Sequence, residues 1–212
     1  MIIIFCLILL IVIFYYKDTI EYFTSNSTTT SSTISNFDNR NYKVVERFSD
    51  KNIAADMLAK LNDFMIQYLK YIKINVININ SNQPLAKRQF FKRILNNYNT
   101  DNIFENEPQP GEVTSFVSDK GQKFGICLRK KGELKDQFHE LDVLKFVMLH
   151  ELTPLGCISY GHGDEFWECF KIVLAEAVKS GMYIPIDYAK KPENYCGISL
   201  HNNPHCNANE CY

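Results

Sequence analysis

Three residues in the C-terminal half of the chain could do hydrolytic chemistry together: His150, Glu151 and His162. A histidine offers a neutral ring nitrogen to a metal ion. A glutamate placed directly after it on a helix can take a proton from a metal-bound water. The full pattern for this chemistry is His-Glu-x-x-His, with both histidines on one helical face and a third ligand arriving from further along. Positions i and i+1 are filled here by His150 and Glu151, but position i+4 is Pro154. Proline offers no ligand atom, and its ring crowds the preceding turn, so the helix is expected to kink or end near Thr153.

His162 lies twelve residues after His150. On one straight helix that separation is about 18 Å, too far for two ligands of one ion. The chain must turn between them, and Gly156, Gly161 and Gly163 allow it. Cys157 is seven residues from His150 and in helical register with it, about 10 Å along a straight helix. After a proline kink its thiolate could swing inward as a substitute ligand. Asp164 and His139 are further candidates for the same place. Without a wider pattern, the pair reads first as a partly buried histidine beside a solvated glutamate.

The wider pattern exists. Leu149 to Trp167, with His150-Glu151-Leu152-Thr153-Pro154 and then Gly161-His162-Gly163-Asp164-Glu165-Phe166-Trp167, resembles the active-site block of the WLM and SprT-like metallopeptidases. The membrane-anchored WLM-type peptidases of giant DNA viruses are the nearer likeness. Cys127-Leu128-Arg129, the run Gly181 to Tyr188, Tyr195-Cys196-Gly197 and Asn203-Pro204 look like that group as well. The resemblance spans roughly Ile53 to Pro204. It implies an α+β fold, a mostly helical zincin-like domain with a small β-hairpin or sheet. It implies zinc as cofactor, with His150 as first ligand, His162 as last ligand and Glu151 as general base for peptide hydrolysis. The middle ligand falls on Pro154, where this sequence departs from the family, and Cys157 is the substitute we name. The departure keeps a second reading open: a non-catalytic membrane or virion structural protein on a degenerate peptidase fold.

The elements that must position these residues follow from periodicity. Asn52 to Ile72 carries Ile53, Met57, Leu61, Phe64, Met65, Tyr68 and Ile72 in steps of three and four, which predicts a packing helix. Pro84 suits the start of a second helix with Leu85, Phe90, Phe91, Ile94 and Leu95; its Lys87, Arg88, Lys92 and Arg93 read as a solvated face. Thr114 to Val117, a turn at Asp119-Lys120-Gly121, and Lys123 to Leu128 predict a hairpin. In a zincin-like protein such an edge strand could hold an extended peptide. Phe138 to Leu152 is expected to be helical. Asp164 and Glu165 open another helix, which stops at Gly181.

Residues Ile2 to Tyr16 are apolar or aromatic and carry no charge. No basic region precedes them and no small-residue cleavage pattern follows, so we read an uncleaved membrane anchor rather than a signal peptide. The expected organisation is an anchor at 1–17, a flexible Ser/Thr-rich tether at 18–48, the metallopeptidase-like domain at 49–204, and a cysteine-containing tail at 205–212. Expected partners are membrane lipid, in a host or virion membrane, and a peptide or protein substrate. The formal net charge is −1 and the lysines are scattered, so no nucleic acid is expected. Six of the seven cysteines lie outside the anchor, which allows fifteen disulfide pairings. Cys196, His201, His205, Cys206 and Cys211 gather ligand-type residues in the tail but lack Cys-x-x-Cys spacing. A Cys206–Cys211 disulfide, or one to Cys196, competes with a tail zinc site. His205 reads as an exposed loop residue.

Overall fold

Helix α1 (Lys51–Ile72) is the central support. Its buried face consists of Ala54, Ala55, Leu58, Ala59, Leu61, Asn62, Phe64, Met65, Tyr68, Leu69 and Ile72. Three alanines near its start bring the sheet close, and the larger side chains fill the space further along. Ile53 was expected on this face but is exposed, because Ala54 and Leu58 turn inward in its place. Two buried hydroxyl and amide groups fix the helix to its neighbours. Tyr68 donates to the Val173 carbonyl at 2.9 Å. Asn62 donates to the Thr100 carbonyl at 2.8 Å and accepts from Tyr98 Oη at 2.9 Å. The fold is that of a computed structural model, which describes residues 29–108, 112–131, 137–207 and 211. The expected anchor at 1–17 lies outside the described residues, and among those described no helix is long and apolar enough to cross a membrane.

A five-stranded sheet packs on α1, built from β1 (Thr30–Ile34), β2 (Asn41–Val45), β3 (Ile103–Glu105), β4 (Phe116–Ser118) and β5 (Lys123–Ile126). The strand order is β1-β2-β3-β5-β4. β2 runs parallel to β3 and β3 parallel to β5, while both outer pairs are antiparallel. β1 and β2 correct the sequence expectation for 18–48: the part from Thr30 to Val45 is a strand hairpin on the domain, not a tether. The physical reason is that Tyr42, Val44 and Val45 bury against the core, while Asp56 of α1 accepts from Ser35 Oγ at 2.8 Å and from the Asn36 N–H at 2.6 Å. β-branched threonines tolerate the extended backbone that this docking demands.

Helix α2 (Leu85–Asn97) follows Pro84 and buries Phe90, Phe91 and Ile94. Its basic face is only partly solvated: Lys87 meets the Glu176 carboxylate at 2.6 Å and Arg93 donates to the Gly156 carbonyl at 2.6 Å. The β4–β5 hairpin forms where expected. Its turn places Asp119, Lys120 and Gly121 all at positive φ, and a Cβ at Gly121 would lie 2.1 Å from the Asn97 carbonyl oxygen. Helix α3 (Leu141–Leu152) is buried on most sides, as suits a helix inside a core. It starts at Leu141 rather than Phe138, because the preceding segment pairs with the strand end: His139 N–H donates to the Leu128 carbonyl at 2.9 Å. Helix α4 (Asp164–Lys179) packs across α3, and a small ribbon, β6 (Glu193–Tyr195) with β7 (Ile198–Leu200), closes that side.

Two disulfides select among the fifteen pairings: Cys127–Cys196 and Cys206–Cys211. The first joins the end of β5 to the β6–β7 turn across 69 residues of chain. A loop of that length predicts a loss of about 4 kcal/mol when both cysteines become alanine, mostly by freeing the unfolded chain. Urea denaturation of the paired Cys127→Ala, Cys196→Ala variant checks this, and a change under about 1 kcal/mol would contradict it. His205 is buried, contrary to expectation. It sits in a short turn where its N–H donates to Asn203 Oδ1, itself anchored by the Ile186 carbonyl.

Candidate metal-binding and hydrolytic site

Pro154 ends α3 as its ring requires. The helix stops at Leu152 and tightens into one 3₁₀ turn over Thr153–Leu155. Thr153 Oγ1 returns a hydrogen bond to the Leu149 carbonyl at 2.8 Å. Gly156 then lets the chain pass Phe90, since a Cβ there would fall 2.4 Å from that ring. The following loop is held by Glu165, whose carboxylate accepts from the Ile158 N–H at 2.9 Å and the Ser159 N–H at 3.0 Å. Gly161, at φ +86°, turns the chain back toward α3.

That return brings His162 to His150. Their Nε2 atoms are 3.0 Å apart, and their rings lie nearly parallel at 5.0 Å between centroids. Phe166, Trp167 and Phe170 of α4 form an aromatic wall around the pair. Burial, aided by the neighbouring His162, pushes the His150 pKa down to about 4, so its imidazole is neutral at pH 7. His150 therefore presents a neutral nitrogen, the form that a metal binds, toward the facing His162 ring.

Glu151 faces the same cavity, of about 460 Å³, that His150 and His162 line. It is only half exposed and not the freely solvated glutamate of the simpler sequence reading. Burial pushes its pKa up to about 8, partly opposed by a hydrogen bond from the Val117 N–H of β4. The edge strand of the sheet thus meets the carboxylate directly. Tyr195 and Ser115 lie on the cavity floor, where the Tyr195 hydroxyl hydrogen-bonds Ser115 Oγ at 2.5 Å and donates to the Cys127 carbonyl at 2.9 Å. Sequence reasoning quoted Tyr195 without giving it a role, and nothing local in the sequence marks its proximity to Glu151.

The donor chemistry fits a zinc ion at two positions, with two facing imidazoles. The third protein position of a catalytic zinc is where Pro154 stands. Among the described residues, no further His, Cys, Asp or Glu joins the two histidines with all ligand atoms within 4.8 Å. Cys157 lies instead beside Glu165 and Cys169, and its S–H points to the Thr153 carbonyl at 3.4 Å. The continuing right-handed 3₁₀ turn, not an inward swing, sets that direction. His139 is also elsewhere, with Nε2 accepting from the Cys196 N–H at 3.3 Å next to the Cys127–Cys196 bridge. Asp164 is exposed at the start of α4. The tail zinc reading is overturned, because Cys196, Cys206 and Cys211 are all taken up in disulfides.

No family model matches the chain. It is 28% identical over 166 residues to the uncharacterized protein R325 of Acanthamoeba polyphaga mimivirus, a match covering 78% of this chain and 80% of that protein. It is 32% identical over 114 residues to the uncharacterized protein 136R of Invertebrate iridescent virus 6, covering 53% of this chain and 62% of the relative. Among solved structures it is similar to Wss1 from Saccharomyces cerevisiae, in a mutant form, with a TM-score of 0.46 and 15% identity. That similarity covers 66% of this chain and 92% of the other.

Proposed function

We propose that the His150–Glu151–His162 cavity is a zinc-dependent peptide-hydrolysing site of the WLM type, carried on a chain anchored to a membrane by Ile2 to Tyr16. The observation that supports it most is the approach of the His162 and His150 ring nitrogens to 3.0 Å, across a helix end that Pro154 forces. The eleven intervening residues return the second histidine to the first, and a half-buried carboxylate lines the same cavity. That is the arrangement the sequence resemblance implies.

His150 and His162 would hold the ion, and a group outside the described protein ligands would complete its coordination. When bound, zinc supplies Lewis acidity toward water and a peptide carbonyl, and its charge favours the carboxylate form of Glu151. Glu151 takes the proton of the attacking water and delivers it to the leaving amine. The Val117 N–H orients the carboxylate, and edge strand β4 offers its backbone to an extended peptide. The aromatic wall of Phe166, Trp167 and Phe170 packs against the His150 ring and fixes its plane.

Pro154 favours a second reading, a binding scaffold that keeps the fold without turnover. Zinc content of the purified full chain, measured beside His150→Ala and His162→Ala, separates the two. In the enzyme reading each variant loses about one zinc per chain relative to wild type. Equal zinc in all three proteins would sink that reading and leave the scaffold.

A further inference from the structure

Cys157, Glu165 and Cys169 bring two sulfurs and a carboxylate oxygen within 4.8 Å of one another. Among the described residues this is the one place where three ligand-type side chains converge so closely. Cys157 lines a cavity of about 400 Å³ with Arg93, separate from the one that holds His150 and His162. Pro154, Tyr160 and Gly161 border both.

The placement follows from local structure. Glu165 and Cys169 are four residues apart on α4 and so share a face. The 3₁₀ turn at Pro154 delivers Cys157 to that face. The Ile158 and Ser159 N–H groups orient the Glu165 carboxylate from behind, as outer hydrogen bonds do for a ligand. Cys157 and Cys169 are free thiols, whereas the other described cysteines are bridged. Two thiolates with one carboxylate make a soft donor set suited to a zinc-class ion. With a divalent ion the set carries one net negative charge, and the nearby Arg93 guanidinium balances it.

We propose that Cys157, Glu165 and Cys169 bind a divalent zinc-class ion, with water in the fourth position, and that this ion fastens the loop carrying His162 to α4. On binding, two S–H protons pass to solvent as two metal–sulfur bonds form. The site is independent of the peptidase reading, and a chain with both sites filled carries two ions of different donor chemistry.

Cobalt(II) titration of the metal-free full chain tests this, because thiolate ligation gives a sulfur-to-cobalt charge-transfer band in the near ultraviolet and imidazole ligation does not. The band is expected to saturate at about one ion per chain. It should persist in His150→Ala and vanish in the Cys157→Ser, Cys169→Ser double variant. Glu165→Gln, which keeps one of the two oxygens that accept from the loop N–H groups, should weaken binding by about tenfold or more, and this holds the test open if the double variant fails to fold. No band in wild-type protein whose Cys157 and Cys169 are shown free by peptide mapping would overturn the proposal. So would a band that survives in the folded double variant, or a Cys157–Cys169 disulfide that persists under excess zinc and a thiol reductant.

Discussion

Glu151→Gln is expected to lower hydrolysis of a denatured protein substrate by about 10²–10⁴-fold, the usual worth of a positioned general base. Glutamine has nearly the same shape and keeps an oxygen to accept from the Val117 N–H, so the cavity should not collapse. The variant should therefore retain its unfolding midpoint and its bound zinc while losing turnover. This combination matters, because a merely structural role for Glu151 would move stability first. Its half-buried position makes the distinction sharp: burial raises its pKa to about 8, so in the metal-free protein the carboxyl is largely neutral at pH 7 and a neutral amide changes the folded state little. Rates measured on the full chain, with denaturation curves of both proteins, decide it. Equal turnover in wild type and variant would remove Glu151 from the chemistry.

The second large effect belongs to Arg129, far from any proton transfer. Arg129 is buried, with Nε donating to Glu105 Oε1 at 2.8 Å and Nη1 donating to Asp50 Oδ2 at 2.9 Å. Its guanidinium lies over the Phe48 ring at 3.9 Å and the Phe138 ring at 4.4 Å. Glu105 is almost fully buried in β3, and its other oxygen accepts from the Val45 N–H at 2.8 Å. Arg129 thus ties the end of β5 to β3, β2 and the start of α1. Arg129→Met leaves the Glu105 carboxylate buried beside no cation, and losing one partner of a buried pair costs about 3–5 kcal/mol. Adding Glu105→Gln removes the stranded charge and keeps the acceptor for Val45, so the double variant should recover a large part of that loss. Urea denaturation of the two single variants and the double variant measures the coupling. Additive losses would show that Arg129 acts through the aromatic contacts alone.

Several features of this protein were determined by sequence alone, and each rests on local physics. The periodic runs at Lys51–Ile72 and Leu85–Asn97 became helices. The Asp119-Lys120-Gly121 turn formed because Gly121 tolerates positive φ beside the Asn97 carbonyl. Helix α3 ended at Leu152 because Pro154 cannot continue it. The need for a turn between His150 and His162 was legible from spacing and rise per residue. The tertiary structure decided what these signals could not reach. Thr30–Ile34 is a strand only because β2 and the Asp56 carboxylate on α1 are there to receive it. Cys127 pairs with Cys196, and Cys157 turns to Cys169 rather than to the histidines, because folding places those sulfurs together. Glu151 is half-buried because β4 closes over it. Periodicity and backbone sterics act over a few residues and can be read along the chain. Strand pairing, sulfur partners and burial depend on segments tens of residues apart, and they exist only once the core has brought those segments into contact.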